Sequence, residues 1–312
     1  MEEQATSVSS KISVETNKNI FLLYSLLNNL GQAYGDLNSH PLRKLVTEHF
    51  RGYKGPSLKV SDYIHESKAV TFILTLGEAP DFSPRKDLLL TEWIRSEVNR
   101  GSAVLPAVKH FYSNTDFEDF YNSVKPQYQE IADYVSDQIS KVNLDKLLNE
   151  VWELETDFKQ MVIPNPLTQG SFGPEIGETL FQVIGTPFSF YSLHTIAHEA
   201  SHPKAKKVLE PCLGEIWKHA GLIDQVLANS SYSKAYNSWE TCVEEHFIRA
   251  IKSCYSDPAI FGETPEFYIE QEEQKGMVFI RDFCDEINAY KEHKISGTLG
   301  EVVLKIIDRL EK

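Results

Sequence analysis

Cysteine is scarce in this chain of 312 residues, with four at positions 212, 242, 254 and 284 and no CxxC pair among them. That spacing excludes a zinc-ribbon pattern. Cys242 and Cys254 fall twelve apart on one expected helix, too distant to bond to each other. Free buried thiols are the expectation, with a Cys212–Cys284 bridge as the alternative. Long hydrophobic runs are missing too. The most apolar stretches, such as Ala69 to Leu76, are far shorter than the ~20 residues a bilayer demands, so no membrane span is expected. Positive charge is short: 31 Lys and Arg against 45 Asp and Glu leave a net charge of −14. A nucleic-acid binder needs a basic stripe, so that class of partner is excluded. The first ten residues lack the basic start and apolar core of a signal peptide. They read as a disordered tail. The protein is then cytoplasmic if this terminus is native, and extracytoplasmic if a signal peptide has been trimmed. Internal repeats and low-complexity linkers are lacking as well.

What the chain has is helical periodicity. With 41% hydrophobic and 24% charged residues it reads as an ordinary globular chain, long enough for one large domain or two tightly joined lobes. Apolar residues recur at helical spacing over 19–34, where Ile20, Leu23, Leu26, Leu27 and Leu30 form one stripe. Further helices are predicted at 41–53, 60–67, 88–99, 103–113, 115–121, 127–143 and 144–161. The run Val70 to Leu76 is β-branched and aromatic, so strand and helix are equal alternatives there. At Ile163-Pro164-Asn165-Pro166 the texture changes, and Gly170, Gly173, Pro174 and Gly177 keep the helical pattern broken. Glu178–Gly185 follows as a strand bounded by glycine. Helices resume at 208–220, 222–228, 236–255, 265–292 and 299–310, the last with Val302, Val303, Ile306, Ile307 and Leu310 on one stripe.

The chemistry is concentrated in His198-Glu199-Ala200-Ser201-His202, which spells HExxH. On a helix, residues four apart share a face, so His198 and His202 can converge on one metal ion, about 6 Å apart along the axis. Glu199 then flanks the ion rather than ligating it, where it can take a proton from a metal-bound water. A pair of surface histidines beside a helical glutamate is the bland alternative, but the ten residues before the motif, Phe188 to Ala197, are uncharged and largely apolar. The helix is expected to be buried, and a buried His-Glu-His cluster needs a partner for its polar groups. His194 stands one turn earlier. Three histidines spanning about 12 Å of axis cannot all reach one ion through bonds of about 2 Å, so His194 is read as a core or supporting residue. Pro203 is expected to bend or end the helix near His202.

A catalytic zinc takes three protein ligands. No His or Asp stands at the short spacing of HExxHxxGxxH proteins, because His202 is followed by Pro203-Lys204-Ala205-Lys206-Lys207. The third ligand must come from a later helix, and 237–251 offers Glu240, Glu244 and Glu245. Helical phase alone does not choose among them. Arg249, one turn after Glu245, favours Glu245 by supplying a charged hydrogen bond to orient it, although an ordinary exposed i,i+4 pair is the alternative.

The segments Val46 to Lys54, His198-Glu199-Ala200-Ser201-His202-Pro203, Glu245 to Ala250 and Glu273 to Met277, with the closing amphipathic helix, resemble an uncharacterised zinc-peptidase-like family. It is a domain of unknown function, gluzincin-like in layout, and the resemblance covers nearly the whole chain. In that family the second segment reads Asn-Glu-x-x-x-Arg-Ala, and the resemblance implies Glu245 as the third ligand, with Glu244 in place of the Asn. No substrate comes with the family.

Together these readings predict an α+β, mostly helical protein: a helical N-terminal lobe over 11–162 and a zincin-like catalytic lobe over 163–312, joined in one unit. The strand at 178–185 is expected to be an edge strand bordering the metal cleft, able to pair with an extended substrate; a plain hairpin strand is the alternative. The expected function is a zinc-dependent metallopeptidase acting on a peptide or protein substrate. His198, His202 and Glu245 hold Zn2+, Arg249 supports Glu245, and Glu199 activates the zinc-bound water. Tyr232, Tyr236, Tyr255 and His246 are candidates for stabilising the oxyanion. A non-catalytic zinc-containing module that binds a peptide or protein, and a zinc hydrolase of a non-peptide substrate, are the rival readings.

Overall fold

Helical periodicity and glycine-bounded strands resolve into a mostly helical α+β fold with one small mixed sheet of four strands. The computed structural model describes residues 11–56, 58, 63–155, 158–185, 190–229 and 238–311. The tail expected over 1–10, and the start of the helix expected over 60–67, lie outside the described residues. The chain divides into two units, Met1–Asp145 with Asp157–Ile196, and Lys146–Thr156 with Ala197–Lys312.

In the first unit, β1 (Ile12–Val14) is followed by α1 (Lys18–Asn29), α2 (Pro41–His49), α3 (Tyr63–Leu74), α4 (Glu92–Gly101), α5 (Leu105–Asn114) and α6 (Phe117–Val142). Ile20 to Leu27 of α1 are at most 1% exposed, as befits a helix that is apolar all round. Asn17 caps it by accepting from the Ile20 N–H at 2.9 Å. Phe21 of α1 lies 5.3 Å from the rings of both Tyr121 and Tyr128 on α6. Arg43 of α2 is fully buried and donates to Asn28 Oδ1 and to the carbonyls of Ala33, Tyr34, Gly35 and Asp36. One guanidinium thereby satisfies the carbonyls of a loop that has no ladder of its own.

The ambiguous run from Val70 is helical, lying in α3 up to Leu74. The two helices expected over 115–121 and 127–143 are one, α6, which runs through Pro126. Proline removes the hydrogen bond to the carbonyl four residues back, but Asn122 is exposed, so water can take that carbonyl. The helix expected over 144–161 is cut short. α7 (Leu144–Trp152) ends where Glu153 turns to φ +51, and Lys159 to Met161 extend into a strand.

That strand, β2 (Lys159–Asn165), is joined by β3 (Glu175–Ile176) and β4 (Thr179–Gly185) in the order β1-β2-β4-β3. β2 and β4 run parallel from Lys159↔Thr179 to Asn165↔Gly185, so the strands before and after the proline-rich stretch share one unit. The strand expected over 178–185 is therefore present, but it is not an edge strand. Its flank away from β2 is occupied: Thr179 and Leu180 pair with β3, Phe181 N–H donates to Pro174 O, and Val183 exchanges two bonds with Phe172. Gly185 N–H donates to Ser171 Oγ. The short 170–177 return folds back along β4, and an added substrate strand would have no unpaired backbone to meet there.

The second unit takes in α8 (Phe190–Leu209) from Ala197 onward, followed by α9 (Leu213–Ile216), α10 (Ile223–Asn229), α11 (Trp239–Tyr255), α12 (Pro258–Phe261), α13 (Pro265–Gln274), α14 (Ile280–Lys291) and α15 (Leu299–Leu310). α11 is its axis, capped by Ser238, with Val243, Phe247, Ala250 and Ile251 buried. The single helix expected over 265–292 is split at Gly276, whose φ of +90° only glycine adopts readily. The turn is a Schellman motif: Met277 N–H donates to Glu272 O at 3.0 Å and Gly276 N–H to Glu273 O at 2.8 Å. Of the bend or end expected near His202, the end does not occur: α8 continues six residues past Pro203. Hydrogen bonds on either side of the proline anchor it. Ser201 Oγ accepts from Trp152 Nε1 at 3.0 Å, and Lys204 Nζ donates to Asn149 Oδ1 at 2.7 Å and Leu154 O at 2.6 Å. The same contacts bind 146–156 into this unit. All four cysteines lie in it, buried and free, so the Cys212–Cys284 bridge is not formed. Cys284 instead accepts, through its carbonyl, a 3.5 Å contact from Cys254 Sγ.

Candidate metal centre

α8 places His198 and His202 on one face, their rings 5.0 Å apart and nearly perpendicular at 87°. α11 brings a carboxylate to them. Glu245 Oε2 lies 3.6 Å from His198 Nε2, and Oε1 lies 3.8 Å from His202 Nε2. One ligand atom from each of the three residues falls within a sphere of contacts no longer than 4.8 Å. A tetrahedral ion with bonds of about 2.0–2.2 Å wants its ligands about 3.3 Å apart, so small side-chain shifts suffice to close the set. These three residues form a group able to hold a metal ion. His194, one turn earlier and buried, is not in that group.

The three glutamates of α11 differ in what each one touches. Glu240 accepts from Trp217 Nε1 at 3.3 Å. Glu244 faces the other nitrogen of His202, with Oε1 2.7 Å from Nδ1. It is thus the outer carboxylate that fixes the ring and leaves Nε2 turned toward Glu245. Burial alone would lower the His202 pKa; the Glu244 hydrogen bond and the charges of Glu245, Glu199 and Glu244 lift it to about 9. Glu245 is the residue that meets both Nε2 atoms.

Arg249 donates from Nε and Nη2 to Glu245 Oε2, each at 3.2 Å. It is not an exposed i,i+4 pair, since the two side chains are only 13% and 15% exposed. Its Nη1 donates to Glu272 Oε2 of α13 at 2.8 Å, a contact to which no short sequence spacing points. Burial would raise the Glu272 carboxyl, but Arg249, Lys252 and Lys275 hold it below the usual carboxylate range.

Glu199 sits between the two histidines in the chain and is partly buried. Burial raises its carboxyl above the ordinary range, opposed by His202, Arg249 and Lys252 and aided by Glu245. Two of the oxyanion candidates fall away. His246 gives its Nδ1 proton to Cys242 O at 2.7 Å, and burial lowers its pKa to about 4. A neutral imidazole has one N–H, already used here, and its ring packs against Phe279 and Phe283. Tyr255 is ten residues from Glu245 on α11, about 15 Å along the axis, with Lys291 Nζ 4.6 Å from its ring centre. Tyr232 and Tyr236 lie outside the described residues.

A family model described as Domain of unknown function (DUF4932) matches residues 61–296. The chain belongs to this family. Within the DUF4932 match fall His198, Glu199 and His202 on α8, Glu244, Glu245 and Arg249 on α11, and Glu272 on α13. No curated protein and no solved structure matches the chain. The DUF4932 description assigns no activity, so the chemistry has to be read from the residues themselves.

Proposed function

We propose that this DUF4932 protein is a zinc-dependent metallopeptidase, gluzincin-like in its ligand set. One observation carries the reading: the two imidazoles of HExxH and a carboxylate from a later helix converge, with Glu199 next to His198 in the chain and outside that group. Two nitrogens and one carboxylate oxygen suit zinc and leave a fourth position open, as a hydrolytic site requires. Bound zinc would supply Lewis acidity, polarising a carbonyl and bringing the pKa of water to about 7. The remaining steps belong to this chain. Glu199 accepts the proton of the attacking water and hands it to the departing amine. Glu244 holds the His202 ring by its Nδ1, and Arg249 holds Glu245 by Oε2. A base is superfluous in a purely structural metal site, which favours catalysis over a binding module.

The test is metal content together with turnover of a mixed peptide library by wild type, Glu199→Gln and His198→Ala. Wild type should carry one zinc per chain and cleave. Glu199→Gln should keep zinc and lose about 10²–10⁴-fold or more in rate, because Gln cannot accept the proton. His198→Ala should lose both. Equal rates for wild type and Glu199→Gln would overturn the mechanism. Tight zinc binding with no turnover by wild type would point to a binding module or a non-peptide substrate.

A further inference from the structure

The contacts behind the ligand set converge on one guanidinium. Arg249 is shared between Glu245, reached through Nε and Nη2 at 3.2 Å, and Glu272, reached through Nη1 at 2.8 Å. Glu272 is only 4% exposed, and its other oxygen accepts from Lys275 Nζ at 2.9 Å. Its backbone is pinned as well, since its carbonyl receives the Met277 N–H of the Schellman turn. The two oxygens of Glu245 are not equivalent. Oε2 is held by Arg249, while Oε1 is the one nearest His202 Nε2, at 3.8 Å. Arg249 already turns its Nε/Nη2 edge to Glu245, so what Glu272 fixes through Nη1 is where that edge stands. A guanidinium clamped at its far nitrogen by a buried carboxylate cannot swing away from Glu245, whose Oε2 and Oε1 lie 3.6 Å from His198 Nε2 and 3.8 Å from His202 Nε2.

We propose that Glu272 is a positioning residue for Glu245: by anchoring Arg249 it fixes the guanidinium that orients the Glu245 carboxylate toward the two histidines. This inference rests on the zinc reading of the site. It also accounts for a charged side chain buried one helix away from the ligands, a placement costly to stability unless something compensates for it.

A double-mutant cycle on metal affinity tests it, using Arg249→Met, Glu272→Gln and the two combined. Three readouts are needed: zinc Kd by chelator competition, the visible spectrum of the cobalt(II)-substituted protein, and the melting midpoint of the metal-free protein. Glu272→Gln should weaken zinc about 10-fold or more, within the 10–100-fold span of outer-shell partners, and shift the cobalt spectrum. Because Glu272 acts through Arg249, the double variant should bind no worse than Arg249→Met alone. Glu273→Gln, whose side chain faces Arg281 instead, should leave affinity and spectrum unchanged. Wild-type affinity in Glu272→Gln, additive losses in the cycle, or a loss explained by a lower metal-free melting midpoint would each overturn the inference. Should Glu272→Gln not fold, Glu272→Asp keeps the charge and withdraws it by one methylene; wild-type affinity in that variant would be equally fatal. A wild type that binds no zinc would remove the proposed function itself, a different result from wild type and variant binding alike.

Discussion

Glu244 and Glu245 are neighbours in sequence with separate tasks, because successive residues on a helix point about 100° apart. One reaches His202 from the Nδ1 side, and the other meets the Nε2 side. Behind them, Lys252 shows how strongly this region acts on a charge. Burial, with Arg249 and Lys275 nearby, brings its ammonium down to about 7 against the pull of Glu272 and Glu245. The unfolded chain holds that proton up to a pH of about 10.4. Between about 7 and 10 the unfolded state therefore binds more protons than the folded one, and stability should rise with pH across that window. Below 7 both states are protonated and the slope from this group vanishes. Denaturant midpoints at a series of pH values should show the rise in wild type and a flatter profile in Lys252→Met. Parallel profiles would show that Lys252 is not the group responsible.

At the scale of elements, the sequence was readable where one helix ends on its own signals. The stripe at 299–310 becomes α15 with the same bounds, opened by a Thr298/Glu301 capping box. HExxH and Glu245 were legible too, because a spacing of four and an arginine one turn on are local. Proline is not a reliable helix breaker here. Pro126 and Pro203 sit inside helices held by tertiary contacts or relieved by water, and neither effect is visible in a local pattern. That β4 is not an edge strand is hidden for the same reason, since what covers its flank is the return of 170–177 rather than anything within the strand. Glu272 was invisible because it meets Arg249 across 23 positions. The α13–α14 break, by contrast, was written in Gly276 and overlooked. Gly276→Ala should destabilise the protein by about 1–2 kcal/mol, the cost of a left-handed conformation for a residue with a Cβ. Urea midpoints would show it, and an unchanged midpoint would mean that the turn relaxes at no cost.

For the whole molecule, no helix among the described residues is long and apolar enough to cross a membrane. The four cysteines, none more than 8% exposed, all belong to the second unit. A thiol reagent such as DTNB should accordingly react slowly with native protein and count four thiols once urea is added, without reductant. Fewer than four would reveal a disulfide, and rapid reaction in the native state would contradict the burial. That unit is assembled from two stretches of chain, since Trp152 hydrogen-bonds to Ser201, 49 positions later. A ribosome adding about 5–20 residues per second needs roughly 2–10 s to cover that gap. For that interval the indole has left the ribosome ahead of its partner. During those seconds a chaperone that shields aromatic surface would have a substrate around Trp152, and slower decoding of the codons that follow would prolong the exposure.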